Sequence, residues 1–415
     1  MPDATFKNDP LASVRIPEFK NLMIARFTFV MGLRMMSTVL GWWIYILTRD
    51  PFAIGLLGLS EVIPAISLAL YAGHFIDMHE KKRLILRGII LYFICAFLLY
   101  LFSTTYTSNH LSNHTIAVFI YIVIFCTGIV RAFTGPVFNV LLAYIVPKSY
   151  LQNATTWSQG AWLGASVSGH ATGGFLIAII GVSGTLLTIL GLMAVAFVFL
   201  TQIKRKPPSE KPGEKRTWES VKEGLRFVFK TKELLGAITL DMFAVFFGGA
   251  VAMIPVYAKD ILKVGAEGFG WLNAATDLGS ICSVILLTIA PMQAKQGRKL
   301  FFAVAGFGIC VIIFAFSRSF WLSFGALVIG GMLDGISVVV RGTIMQLKTP
   351  DNMRGRVLSV NSMFINSSNE LGQFESGVAA KLFGVVPSVI FGGCLTLVVV
   401  VATWFKAPAL RKMEY

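Results

Sequence analysis

Residues 73–83 read GHFIDMHEKKR. One glycine, two acids, two histidines and three consecutive bases stand between an apolar run ending at Ala72 and another beginning at Leu84. So charged an island between two greasy stretches marks a short turn at a membrane face. Composition agrees. The 415 residues are 55% hydrophobic and only 14% charged, against about 25% charged in a soluble domain. The apolar runs last about 20 unbroken residues, enough for a helix across roughly 30 Å of hydrocarbon. A membrane strand would need about ten, alternating. The chain therefore reads as an all-α polytopic membrane protein.

Twelve spans are expected, at about 22–46, 53–75, 84–105, 116–144, 155–180, 184–203, 234–258, 269–290, 300–317, 320–347, 358–383 and 386–405. With the N-terminus in the cytoplasm, about 27 of the 36 lysines and arginines fall in the tails and the cytoplasmic loops. Both termini are thus expected inside. The formal charge of +15 then belongs to a positive inner face that meets anionic lipid, which removes the case for nucleic acid. The longest polar break, Lys204–Lys232, splits the chain six plus six. Its first part is a proline- and charge-rich linker. Its second part places Trp218, Val221, Leu225 and Phe229 on one face, as an amphipathic interfacial helix does. The expected divisions are a tail over 1–21, a six-helix bundle over 22–203, a linker over 204–233, a second bundle over 234–405 and a tail over 406–415. At an offset of 203, Gly128 meets Gly331, Pro147 Pro350, Gly169 Gly372, Gly174 Gly377 and Gly181 Gly384. These coincidences point to an internal repeat.

The chemistry-bearing motifs of enzymes are missing. No phosphate loop, HExxH or GxSxG is present, so neither catalytic residues nor an enzyme activity is expected. Cys95, Cys126, Cys282, Cys310 and Cys394 lie singly in apolar runs, without metal-ligand or disulfide spacing. They read as packing residues, and no metal site or cofactor is expected. Asn113-His114-Thr115 matches a glycosylation sequon in an outer loop, a weak three-residue pattern.

Charges inside a bilayer are costly and mark function or structural pairing. The candidates are Arg34, Glu61, Arg131, His170, Asp241, Asp277, Asp334, Arg341, Glu370 and Glu375. Spans 3, 6, 9 and 12 carry none away from their ends, so they are expected to face lipid while the others share a wet interior. Arg34 and Glu61 lie at depths within reach of an ion pair. Asp334 and Arg341, seven apart, are expected to find partners on other helices. Two readings stay open for each: a structural pair between helices, or a proton or substrate site. Glu61, Arg131, Asp334 and Glu370 are the candidates for proton coupling, because a carboxylate in a low-dielectric cavity can exchange protons near neutral pH. Arg34, His170, Asp241, Asp277 and Arg341 are the substrate candidates. Met31, Met35, Met36, Phe243, Phe246 and Phe247 are candidate walls of an adaptable apolar cavity.

Gly73-x-Phe75-Ile76-Asp77-x-x-x-Lys81-Lys82-Arg83 resembles the loop 2–3 signature of the major facilitator superfamily. Twelve spans and a basic central loop agree with it. Glu80, Glu223-Gly224-Leu225-Arg226-Phe227 and Thr349-Pro350-Asp351-x-x-Arg354-Gly355-Arg356-Val357 resemble the drug and siderophore exporter branch, which includes enterobactin exporters and macrolide efflux proteins. Arg131-x-x-x-Gly135 resembles the span-4 arginine motif tied to proton coupling. Gly169-His170-Ala171-Thr172-Gly173-Gly174 resembles the span-5 antiporter motif, with His170 in place of its proline. The resemblance implies two pseudo-symmetric six-helix bundles and a monomeric carrier in a bacterial inner membrane. It implies proton-driven export of an amphipathic small molecule, with multidrug resistance among its roles. A lysophospholipid translocase and a metabolite importer are the alternatives on the same fold. Gly73, Asp77, Lys81, Lys82 and Arg83, with Arg354 and Arg356, become the expected inner gate, Asp77 meeting the start of span 11 near Leu358 or the two arginines.

Overall fold

The structure, a computed structural model, describes residues 11–135, 137–205, 218–290, 292, 295–350 and 353–414. Its helices are α1 (Pro17–Thr48), α2 (Pro51–Met78), α3 (Lys81–Phe102), α4 (Thr105–His110), α5 (Asn113–Thr134), α6 (Val137–Ile145), α7 (Leu151–Thr201), α8 (Trp218–Lys230), α9 (Lys232–Phe247), α10 (Ile254–Val256), α11 (Gly265–Ile289), α12 (Gln296–Phe316), α13 (Phe320–Lys348), α14 (Arg354–Phe383), α15 (Val385–Lys406) and α16 (Pro408–Arg411). No strand occurs among the described residues. Local signals set the boundaries. The Asp50 carboxylate accepts the Phe52 N–H at 3.0 Å, and Pro51 occupies the first turn of α2, where its missing N–H costs nothing. The Ser112 hydroxyl accepts the Thr115 N–H at 3.2 Å and starts α5.

Ten described segments are long and apolar enough to cross a membrane. One of them contains α7, which is two helices joined at Gly181. The more polar α14, 30 residues long, is not among the ten; with it, and with α7 split, the crossings number twelve. Gly181 has φ +71° and ψ −177°; Gly384, between α14 and α15, has φ +88° and ψ 160°. This is a region that glycine alone occupies without strain. The two residues stand 203 apart, at the offset of the internal repeat. The halves thus share a backbone feature as well as a glycine.

The chain packs as two compact units, Met1–Val39 with Ser67–Gly213 and Leu40–Ile66 with Glu214–Tyr415. In the first unit α3 lies against both α5 and α7. In the second, α13 packs on α11 and α12, while α9 packs on α14 and α15. Gly331 sits so close to α11 that an added Cβ would fall 2.7 Å from the Thr276 backbone, the small-residue contact that lets membrane helices touch. The segment Leu40–Ile66 joins its unit in the same way, since a Cβ on Gly377 would lie 2.8 Å from Gly55 Cα. Large exposed apolar side chains line α3 (Leu91, Phe97), the second helix of α7 (Leu187, Val198), α12 (Phe302, Phe316) and α15 (Val398, Phe405), but also α5 (Ile122), α11 (Ile289) and α13 (Ile329), so exposure does not single out the four spans expected to face lipid.

On the helix α8, Leu225 of the expected apolar face packs with Phe227 beside buried Val228, while Phe229 of that face is 60% exposed. Gly224 abuts the Arg356 backbone on α14, and Glu223 forms an ion pair with Arg356. The neighbouring helix thus covers part of the apolar surface of α8 and leaves Phe229 outward. The side chains of Trp218 and Val221 lie outside the described residues.

A Cβ at Gly181 would meet nothing within 4 Å, so its cost is purely conformational. Gly181→Ala is expected to destabilise the protein by about 1–3 kcal/mol. Gly191→Ala, with equal space in a helix interior, is expected to be neutral or stabilising by up to about 1 kcal/mol. Thermal unfolding of the two variants in detergent checks the contrast.

Candidate functional site

In the first unit the seam between α1 and α7 carries the polar groups. Gly169 and Gly173, one turn apart, bring the helices into backbone contact: added Cβ atoms would lie 2.7 Å from Arg34 Cβ and 3.3 Å from Met35 Cα. Arg34 stacks over the Trp162 ring, with its guanidinium carbon 5.2 Å from the centroid. Thr38 and His170 Nδ1 are hydrogen-bonded at 2.8 Å. Arg34 and Glu61, which the sequence offered as partners, fall in different units. Lower on the same helix, Arg26 is buried and donates to Asn139 Oδ1 at 2.8 Å and Ser158 Oγ at 2.6 Å. Arg131 lies on the last turn of α5.

The basic end of GHFIDMHEKKR closes helices. Lys81 is 0% exposed and donates to the Ile76 carbonyl at 2.5 Å and the His79 carbonyl at 3.1 Å. It satisfies acceptors that the end of α2 leaves open and places a cation at the negative pole of that helix. Lys82 donates to the carbonyls of Thr201 (2.8 Å) and Ile203, doing the same for α7. Arg83 pairs with Glu80 at 2.9 Å. The triplet expected at an inner gate is thus engaged within its own unit. Arg356, expected at the same gate, pairs with Glu223 because α8 brings that carboxylate against it. The side chains of Asp77, Arg354 and Leu358, and the surroundings of Gly73, lie outside the described residues.

In the second unit Asp241 on α9 and Arg341 on α13 form an ion pair, each side chain about 95% removed from solvent (4% and 5% exposed). Arg341 therefore finds its partner on another helix, as expected. Both were candidates to face substrate, and the pair leaves Arg341 Nε buried without a hydrogen-bond partner. Asp334, two turns from Arg341, is close enough to feel both charges. Phe243 and Phe247 stack at 6.2 Å, and Phe246 meets Phe247 edge-on at 5.0 Å. Glu370 is buried and Glu61 half-buried. Gly58, one turn before Glu61, is close enough to α14 that a Cβ would lie 2.7 Å from the Glu370 carbonyl. The two carboxylate-bearing helices thus touch at the level of both acids. Asp277 is half-buried on α11, and Glu375 lies half-buried beyond Glu370.

The profile of the Major Facilitator Superfamily matches residues 22–373. The chain is a member of that superfamily. Enterobactin exporter EntS of Shigella dysenteriae serotype 1 is 23% identical over 355 residues, spanning 82% of this chain and 80% of the relative. EntS of Shigella flexneri is 22% identical over the same shares. Among solved structures, a bacterial homologue of the iron transporter ferroportin in its inward-facing state superposes with a TM-score of 0.73 at 14% identity, covering 96% of this chain and 99% of that one. The D-xylose–proton symporter superposes with a TM-score of 0.72 at 12% identity, covering 98% and 100%. These neighbours show the fold. The protein is a multi-pass membrane transporter of the major facilitator class.

Sequence reading for this superfamily member missed three things. Trp162 escaped because an aromatic residue in an apolar run announces no partner. In the sequence Lys81 reads only as a gate base within a basic triplet. The third was the polarity of α14, where ten of the sixteen residues 361–376 are Asn, Ser, Gln or Glu. Its Ser367 and Ser368 hydroxyls and the Asn369 amide each bond a carbonyl one turn back, at 2.6, 2.7 and 3.1 Å. That local satisfaction lets so polar a helix sit in a membrane protein.

Asp241→Leu alone strands the Arg341 cation and is expected to cost about 3–5 kcal/mol, whereas Asp241→Leu with Arg341→Met restores most of that stability. A double-mutant cycle of detergent unfolding midpoints measures the coupling.

Proposed function

We propose that the protein exports an amphipathic small molecule by proton-coupled alternating access. The direction rests on one observation above the others: the relation to enterobactin exporters spans four-fifths of both chains. At 22–23% identity the relatives' own cargo does not come with it. The fold neighbours include a D-xylose–proton symporter and so carry no direction. Glu61, Asp334 and Glu370 are the proposed proton carriers, supported by the contact between α2 and α14 beside Glu61 and Glu370 and by the Asp334 carboxylate next to the Asp241–Arg341 pair. Arg131 is the proposed tuning cation. Within the second unit, the Phe243–Phe247 stack would offer apolar surface to the cargo.

The proposed setting is a bacterial cytoplasmic membrane, with both termini in the cytoplasm. This follows from the excess of lysine and arginine in the loops on one side. The carrier would work as a monomer and take its energy from the proton gradient, with no resident cofactor. Gly73 and Asp77 remain proposed gate residues. Lys81 and Lys82 support that gate by holding the ends of α2 and α7.

Reconstituted in proteoliposomes, the protein is expected to move amphipathic dyes, fluorescein and rhodamine 123 among those tried, when a pH gradient is imposed. Glu61→Gln with Glu370→Gln is expected to abolish the gradient-driven component. Undiminished transport by that double variant would sink the coupling assignment.

A further inference from the structure

We infer that Arg34 and Trp162 form a binding subsite for the acidic group of an amphipathic organic anion. The inference rests on the carrier reading above and names the class of cargo. Beyond the first turn of α1, its full charges in the first unit are Arg26 and Arg34, both cationic. The two on α1 are treated differently. Arg26 is buried and satisfied by neutral oxygens of Asn139 and Ser158. Arg34 is half-buried, and within its own unit no described residue gives its side chain a hydrogen-bond acceptor or an ion-pair partner. Its guanidinium carbon lies 5.2 Å from the Trp162 ring centroid, and His170 is near enough to feel its charge.

The ring contact restrains the guanidinium without using its N–H donors, and within this unit no described residue takes them. A rigid fork of this kind matches the two oxygens of a carboxylate or phosphate. The seam around it is fixed on both sides. Gly169 holds α7 against Arg34 Cβ, and one turn further on Thr38 engages His170. The arginine is therefore carried on a rigid mount, with little ordering left for a ligand to supply. The Trp162 face beside it suits a flat or apolar body attached to the acid. A cationic cargo would meet a like charge with no acid near it in this seam.

The test compares two dyes on one three-ring frame, anionic fluorescein and cationic rhodamine 123. Each is titrated against the whole protein in phosphatidylcholine nanodiscs, with fluorescence anisotropy as the readout. Wild type is expected to bind fluorescein about tenfold more tightly than rhodamine 123, as one charge-assisted contact allows. Arg34→Gln is expected to remove that preference. Arg34→Lys and Trp162→Leu should each remove part of it. 2-Naphthoate is expected to displace fluorescein, and glycerol 1-phosphate is not. Equal binding of the two dyes by wild type, or tighter rhodamine 123 binding, overturns the inference without reference to any variant. So does a folded Arg34→Gln that keeps fluorescein affinity within about twofold. Displacement by glycerol 1-phosphate alone would assign the fork to a lipid headgroup and overturn it as a cargo site. Binding is read with no gradient present, so a failure of proton-driven transport is a separate outcome.

Discussion

A charge placed among apolar helices has to be answered by something, because hydrocarbon offers neither water nor counter-ions. Most of what is particular to this protein follows from how each charge is answered. Asp241 and Arg341 answer each other. Arg26 is answered by an amide and a hydroxyl. Lys81 is answered by the open carbonyls at the end of a helix. Arg34, within its own unit, is answered by an aromatic face. Arg26 and Lys81 are held by fixed oxygen acceptors, and Arg341 keeps a buried Nε without one. The half-buried Arg34 is where function is sought.

Close helix contact is the second constraint, and it serves the first. An arginine can stack on a ring across a helix seam only if the backbones come near enough. Gly169 and Gly173 provide that distance between α1 and α7. Gly55, Gly58 and Gly377 provide it where the segment Leu40–Ile66 joins α14. Any side chain at these positions would move the helices and, with them, the polar groups beside the seam. The glycines are thus positioning elements for Arg34 and for the Glu61–Glu370 level, although they touch no ligand themselves.

The architecture was legible because it is written in long-range averages. Twenty-residue apolar runs, the distribution of lysine and arginine, and the glycine offset of 203 survive ignorance of any single contact. The expected spans agree with the helices to within a few residues at most ends. Arg341 could be expected to find a partner on another helix, because its depth and its cost left few choices. What resisted reading were decisions among near-equivalent neighbours. Arg34 lies over the Trp162 ring, which no spacing announces. Arg356 takes Glu223 because α8 lies against α14, and no sequence spacing announces that either. In α8 the expected face did not include Val228, which is buried beside Leu225.

Gly181 and Gly384 hold the same rare backbone geometry at equivalent places in the two halves. If the halves descend from one duplicated ancestor, this joint is something that time did not rewrite. The charges were rewritten. The first half now carries four span arginines against one span glutamate; the second carries five span acids against one arginine and one lysine. A glycine at a forced φ has no substitute, so it persists. A buried charge can be traded for another whenever its partner changes too, so it drifts. In this lineage shape has been the inheritance, and polarity the place where the copies became different.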